Sequence, residues 1–492
     1  MKTLQTSVRE AYLWTFGGNL ARQLLSFGLS MLLARFLSPS DYGTVGMVAI
    51  FTTILTALQD LGIGRAVIYF ENADSAFSTY CTVSTAAGAV LSLGMFLSAP
   101  LIARFYAMPG LIPIVRWLSL TLFFGGLRSA SQSMLTKRLL FQRLTFIEAG
   151  SGIFAALVAV VLAWRGFGVW SLVFNLILGS VLNTFLVLHA FRPSFTVRLD
   201  LAAVKRALAW GTPLVGSTLL WSAYDNTDNL VVGKLMNNAQ LGYYSLAFRL
   251  ATLVNERIGA IISRVSFPTF AALQNDKPEV ARHWMSVTQK AALISFPLLA
   301  LLAVCASDLI SVVLGAKWLP AVLPLRLLCV VGAIRVLTPI IVNLLPALGR
   351  PGLAFQYTLA NAIIMPVAFY IGCKTGGIVG VGWSWVIVFP FIAAYLTARA
   401  IALVEISWGA YLKNLTVPVL SSAAATSAAA PLLYALRPGL LRLLLMSFAG
   451  VSAASLCTLA FESGRQLLPA SIVTFLSDRL ARCMPLPMRS RS

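Results

Sequence analysis

Long apolar runs separated by short polar breaks set the plan of this chain. Runs at 11–36, 41–64, 82–103, 112–134, 146–165 and 168–191 are followed by runs at 207–235, 241–270, 286–308, 321–345, 354–374, 377–401, 412–436 and 440–461. Each approaches the roughly 20 apolar residues that a helix needs to cross the hydrocarbon of a bilayer. The pattern therefore predicts an all-α polytopic membrane protein with about 14 transmembrane helices. Polar and apolar positions do not alternate along the runs, as they would in the strands of a membrane barrel. The shortest breaks, at 165–168 and 374–377, predict very tight connections. The segment "SSAAATSAAA" (421–430) is rich in small residues, which suits close helix packing in lipid.

The breaks also repeat. "ARFLSPSDYG" (34–43) has a counterpart in "GKLMNNAQLG" (233–242): a basic residue, Arg35 or Lys234, closes one run and a glycine, Gly43 or Gly242, opens the next. The offsets agree, since 234 − 35 = 199 and 242 − 43 = 199. "GGLR", ending at Arg128, matches "GAIR", ending at Arg335, with 335 − 128 = 207. Upstream lie Pro113 with Arg116 and Pro324 with Arg326. Two six-helix units in parallel orientation are predicted, with two helices added. The expected organisation is an N-lobe over 1–200, a C-lobe over 201–405, a helix pair over 406–462 and a tail over 463–492. Parallel repeats about an axis along the membrane normal are a frequent transporter plan, with the substrate site between halves.

Composition agrees with the membrane assignment and adds a charge problem. Of 492 residues, 59% are hydrophobic and 11% charged, and the net charge is +21. In a soluble chain such a charge suggests nucleic acid; here it reads first as the basic bias of cytoplasmic loops. The segments 136–143, 192–206 and 275–290 and the tail after Gly464 carry most of the basic residues and fall on the side of the termini. Both termini are therefore expected in the cytoplasm and the Arg35–Gly43 turn outside, with loop 65–80 (Glu71, Asp74) a weak exception. Residues 11–36 are too long for a cleavable signal. Residues 471–483 are able to form an amphipathic helix on the membrane surface. Cys81, Cys305, Cys329, Cys373, Cys457 and Cys483 show no paired spacing and read as small apolar residues.

Polar groups inside the runs are the candidate functional residues, because a charge at mid-membrane costs roughly 2.5–3.5 kcal/mol. Asn19, Arg22, Gln23 and Ser26 share one helical face, as do Trp221, Asp225, Asp228 and Asn229. Arg249 and Glu256 are seven apart, and Arg128 and Arg335 recur in the two halves. Two readings stay open. In one, these groups pair between helices, for example Arg22 with Asp225 or Arg249 with Asp228. In the other, they line a central cavity whose guanidinium groups suit phosphate or pyrophosphate, while the neighbouring carboxylates Asp225 and Asp228 hold a proton or sodium ion. Catalysis is poorly supported: His189 and His283 are the two histidines, and no phosphate-binding loop is present. Transport without ATP on this chain is the expectation, and no cofactor is implied.

"LLARFLSPSDYGTVGMVAIFTTILTALQDLGIGRAVIY" (32–69), "LAFRLATLVNERIGAIISRVSFPTFAALQND" (246–276) and "VLGAKWLPAVLPLRLLCVVGAIR" (313–335) resemble the polysaccharide transporter family. The similarity is to the branch holding the colanic acid and succinoglycan exporters, Wzx-type flippases of the multidrug/oligosaccharidyl-lipid/polysaccharide superfamily. It covers nearly the whole chain and weakens after about residue 405. The resemblance implies two six-helix lobes with two further helices. It also implies flipping of undecaprenyl-pyrophosphate-linked oligosaccharide across the bacterial inner membrane, with membrane lipids and polysaccharide-assembly proteins such as a polymerase as partners. A cationic cavity is implied, for which Arg22, Arg116, Arg128, Arg249, Arg257 and Arg335 are the candidates, and Asp225, Asp228 and Glu256 are the candidate ion-coupling acids. The alternatives are a drug or small-metabolite cation antiporter on the same fold, and a membrane scaffold or glycosyltransferase subunit without transport.

Overall fold

The computed structural model describes residues 25–59, 63, 64, 67, 76–191 and 200–461. The chain there is helical: α1 (Leu25–Phe36), α2 (Pro39–Gln59), α3 (Phe77–Phe105), α4 (Leu111–Lys137), α5 (Phe141–Trp164), α6 (Val169–Ala190), α7 (Leu201–Asp225), α8 (Thr227–Leu235), α9 (Asn238–Ala272), α10 (Lys277–Leu309), α11 (Val322–Arg335), α12 (Thr338–Ala347), α13 (Pro351–Val404), α14 (Trp408–Asn414), α15 (Thr416–Ala435) and α16 (Leu440–Ala460). Side-chain caps start several of them. Asp200 accepts from the amides of Ala202 and Ala203 to open α7, Asp276 accepts from Glu279 to open α10, and Ser407 accepts from Ala410 to open α14. Each cap satisfies amides that have no partner within the helix.

Ten helices among the described residues are long and apolar enough to cross a membrane, so the predicted 14 is not reached by that measure. The differences have local causes. The predicted span 11–36 begins outside the described residues. Predicted span 207–235 is divided at Asn226, which separates α7 from α8. In α9, Arg249, Asn255 and Glu256 lower the apolarity. Predicted spans 354–374 and 377–401 run together in the 54 residues of α13, interrupted at Gly376 and Gly377. At about 1.5 Å per residue, that length is far more than one hydrocarbon thickness. The chain doubles back there: the Gly372 carbonyl occupies the place where a Gly380 side chain would begin.

Two compact units result. One comprises residues up to Leu246 with Val313–Ala321 and Asn361–Val381; the other comprises Ala247–Val312, Val322–Ala360 and the chain from Gly382 onward. In the first, α3 packs along α4, α5 along α6, and α2 against α4 and α6. Phe77, Tyr80, Cys81 and Met134 are buried there with Ala203 and Ala207 of α7. In the second, α10 packs on α11, α15 and α16. The small residues of 421–430 do what their size suggests. Ser421, Ala425 and Ala429 are fully buried, Ala425 and Ala429 beside Leu301, Cys305 and Met446 of α10 and α16.

Candidate functional site

The repeated turns meet each other inside the first unit. Ser38 and Asp41 form a reciprocal cap on α2: the Asp41 carboxylate accepts from the Ser38 amide at 2.9 Å, and the Ser38 hydroxyl accepts from the Asp41 amide at 3.2 Å. Its counterpart is Asn237, whose side chain accepts from the Gln240 amide at 2.8 Å to open α9; the offset is again 237 − 38 = 199. A side chain on Gly43 would strike the Asn238 carbonyl, and one on Gly242 would strike the Pro39 carbonyl. Since 238 − 39 and 242 − 43 both equal 199, the two contacts are one contact exchanged by a local two-fold. Asn238 also donates to the Thr44 hydroxyl at 3.1 Å.

Lysines fasten the same region. Lys234 donates to the Phe105 carbonyl and lies 4.6 Å from the centre of the Phe105 ring. In the quoted "GAKW", Lys317 donates to the Arg35 carbonyl at 2.7 Å. The fully buried Trp318 donates to the Ala34 carbonyl at 2.9 Å and meets Tyr42 and Tyr243 edge-on. Two motifs far apart in sequence therefore form one closed polar junction.

A cavity of about 510 Å³ lies within the first unit, among α2, α4, α5 and α6, in the size range of small-molecule sites. Thr52 and Thr56, four apart on α2, face it together. Their hydroxyls donate to the Ala49 and Thr52 carbonyls, which leaves oxygen lone pairs for the cavity. Gln59, buried at the end of α2, donates to the Leu122 carbonyl at 2.6 Å. Glycines make this possible, since a side chain at Gly125 or Gly126 would come within 3.0 Å of the Gln59 amide.

Arg128 of α4 reaches into the cavity half-buried. Its one hydrogen bond among the described residues is a 3.4 Å contact to the Ser180 hydroxyl on α6. Glu148 of α5 attracts it from across the cavity and accepts from Gln132 at 3.3 Å. Asn183 of α6 donates to Ser151 at 3.3 Å, while its side-chain oxygen is buried with no hydrogen-bond partner among the described residues. A guanidinium carries five donors, so most of the capacity of Arg128 is open to a ligand.

The other sequence-predicted residues lie elsewhere. In the second unit, Arg335 is held against aromatic rings, 4.6 Å from the centre of Trp385 and 5.3 Å from that of Phe248. Arg116 is exposed over the Phe96 ring at 4.9 Å. Arg249 and Glu256 are exposed on α9. Arg22 and the Arg257 side chain lie outside the described residues, as do Asn19, Gln23 and the segment 471–483.

The Asp225–Asp228 geometry needs correction. The two residues do not share the face of one helix, because α7 ends at Asp225 and α8 begins at Thr227. Asn226 and Thr227 turn their side chains back to the Ser222 and Ala223 carbonyls, a competition with regular helix typical of such residues. Asp228 then sits in the first turn of α8, where a carboxylate is favoured. It is fully buried and accepts from Tyr244 at 2.7 Å and from the Asn229 amide at 2.7 Å.

Sequence reasoning missed Glu148, Asn183 and the threonine wall, and also a buried ion pair in the second unit. Arg442 donates to both oxygens of Asp308, at 2.6 Å from Nε, and to the Leu433 and Leu436 carbonyls at 2.8 and 2.9 Å. Both residues are buried. Each was a lone charge at the edge of an apolar run, the signal that could have found them. With every oxygen and most N–H groups used, the pair ties α10 to α16 and to the end of α15; breaking such a pair costs about 3–5 kcal/mol.

Residues 32–323 match the family model described as polysaccharide biosynthesis protein. The teichuronic acid biosynthesis protein TuaB of Bacillus subtilis (strain 168) is 26% identical over 431 residues, 86% of this chain and 88% of that protein. The succinoglycan biosynthesis transport protein ExoT of Rhizobium meliloti (strain 1021) is 25% identical over 437 residues, 81% of this chain and 87% of that protein. Among solved structures, the lipid II flippase MurJ in an inward closed conformation shares the fold, with a TM-score of 0.73 at 14% identity over 91% of this chain and 98% of that one. With more than half its length matched by the family model, this chain belongs to the polysaccharide biosynthesis protein family.

Proposed function

We propose that this protein is a flippase that moves undecaprenyl-pyrophosphate-linked oligosaccharide repeat units across the bacterial inner membrane for the assembly of a surface or secreted polysaccharide. Both termini lie in the cytoplasm, and the drive is a proton or sodium gradient or the substrate's own gradient. The reading is of a transporter and invokes no bond-making step. One observation carries it: a polar cavity with an under-used guanidinium, Arg128, is enclosed by spanning helices in a chain of this family. A guanidinium kept inside a spanning bundle at such cost marks a substrate or ion pathway.

The experiment is complementation of a bacterial strain whose own exporter for a defined polysaccharide has been deleted. Wild-type protein is expected to restore surface polysaccharide. Arg128→Met is expected to reduce it by tenfold or more with normal protein in the membrane, and Arg128→Lys to recover part, since it keeps charge but not the bidentate fork. Full export by Arg128→Met removes the cavity from the pathway. Resistance to cationic drugs without any polysaccharide phenotype points instead to an antiporter.

A further inference from the structure

We propose that the connection between α4 and α5 is a binding site for the anionic headgroup of a membrane phospholipid. The inference rests on the chain spanning a bilayer and not on what it transports. The basic segment 136–143 and the described end of 192–206 come together at one end of the first unit. The Asp200 amide donates to the Thr79 hydroxyl at 3.2 Å, which fastens the start of α7 to the start of α3. Ala203 and Ala207 of α7 are buried in one cluster with Met134 in the last turn of α4, and Phe191, just after α6, packs against it. Arg138, Arg143, Lys205 and Arg206 are exposed around these helix ends. The Phe191 ring, centred 4.8 Å from Cζ of Arg138, sets that guanidinium in place. The nearby acids among the described residues are engaged elsewhere: Asp200 accepts from the Ala202 and Ala203 amides, and Glu148, further along α5, accepts from Gln132 in the cavity wall. An excess of exposed cationic groups at the end of spanning helices attracts anionic lipid, by about fivefold in binding for each Lys or Arg near the surface.

Leu139 points to lipid rather than to a free anion. The Arg138 amide donates to the Met134 carbonyl at 2.9 Å, and the Leu139 and Leu140 amides donate to the Thr136 and Leu135 carbonyls at 3.0 Å each. This closure of α4 puts Leu139 in the left-handed region, at φ 56°, where glycine is the residue best suited. The corresponding position of the second half is Gly349, at φ 72° (349 − 139 = 210). Leu139 is also 73% exposed and Phe141 52% exposed. A leucine that is both strained and turned outward gains nothing from the protein interior. It gains when the boundary between headgroups and acyl chains covers it, as for the apolar residues of segments lying in that plane. Phosphate then meets the guanidinium groups of Arg138 and Arg143, while acyl chains meet Leu139 and Phe141. A free anion matches the charges and leaves both apolar residues in water. The place of the patch, at the ends of spanning helices, favours lipid over a soluble protein because headgroups already lie at that depth.

A local cross-linking probe tests this without transport. A benzophenone amino acid replaces the exposed Gln142 in the full-length protein, which is reconstituted in vesicles of equal phosphatidylglycerol and phosphatidylcholine; lipid adducts are then counted by mass spectrometry. Phosphatidylglycerol adducts are expected to exceed phosphatidylcholine adducts at least threefold. Arg138→Gln with Arg143→Gln is expected to bring the two to equal amounts. Leu139→Gly, which relieves the backbone, is expected to keep or raise the melting temperature while lowering total lipid adducts at least twofold. Inorganic pyrophosphate in the buffer, at matched ionic strength, is expected to leave the adducts unchanged. The proposal is overturned if wild type shows no preference between the two lipids, if the double Gln variant keeps the preference, or if Leu139→Gly keeps full adduct yield. It is overturned equally if pyrophosphate abolishes the preference, which assigns the patch to a free anion, or if the probe reaches no lipid, which assigns it to a soluble partner.

Discussion

Arg128 and Arg335 stand 207 residues apart (335 − 128) in matching sequence contexts, yet their surroundings have diverged. One faces hydroxyls across a cavity, and the other lies over Trp385 and Phe248. Their correspondence was legible because an arginine three residues after a glycine is rare inside an apolar run. Their different neighbours were not, because those come from helices that sequence order does not bring together. Asp228 shows the opposite failure. Spacing alone put it beside Asp225, whereas the backbone turns at Asn226 and delivers it to Tyr244. A hydrogen bond to a charged group is worth about 1.5–3 kcal/mol, so Tyr244→Phe and Asp228→Asn are both expected to lower the melting temperature in detergent. Transport per folded molecule should keep its response to a pH or sodium gradient. An Asp228→Asn protein with normal stability and no gradient response would return this residue to an ion-coupling role.

At the scale of elements, the turns explain why a ten-residue pattern recurs. Each copy caps a helix and presents a glycine to the backbone of the other copy. Glycine is required because the neighbour is a carbonyl, which cannot swing aside as a flexible side chain does. Gly43→Val and Gly242→Val are each expected to abolish export and to reduce folded protein sharply, measured as monodisperse material on size exclusion. Gly28→Val or Gly94→Val, where no atom from elsewhere among the described residues lies within 4 Å of the added Cβ, should leave the yield near wild type. Equal yields from all four variants would show that the paired turns do not need close approach. The capping chemistry was written plainly in "SPSD" and "MNNA"; the mutual contact was not, since nothing in one copy names the other as its partner.

Across the whole molecule, the repeat is recorded in the backbone more clearly than in the sequence. Left-handed residues recur at a near-constant offset: Ala107 and Gly315 (315 − 107 = 208), Leu139 and Gly349 (349 − 139 = 210), and Gly168 and Gly377 (377 − 168 = 209). Gly168 and Gly377 share almost the same angles, φ 54°, ψ −132° and φ 58°, ψ −142°. Ala107 and Leu139 adopt a conformation that costs a non-glycine residue roughly 1–2 kcal/mol, so the conformation is held at these positions without the residue best suited to it. That is why the connections at 165–168 and 374–377 were legible as tight turns, while the matches at 107 and 139 were hidden behind alanine and leucine. A helical membrane protein of this family, with a polar cavity inside one of its units, is expected to move a polar group past lipid. The most direct measurement is therefore flipping itself: purified protein in proteoliposomes, with a lipid-linked oligosaccharide, scored by access of an impermeant lectin from outside. Translocation through this chain predicts that nearly all of the oligosaccharide becomes accessible with time for wild type and only about half for Arg128→Met, as in protein-free liposomes; wild type indistinguishable from protein-free liposomes would contradict it.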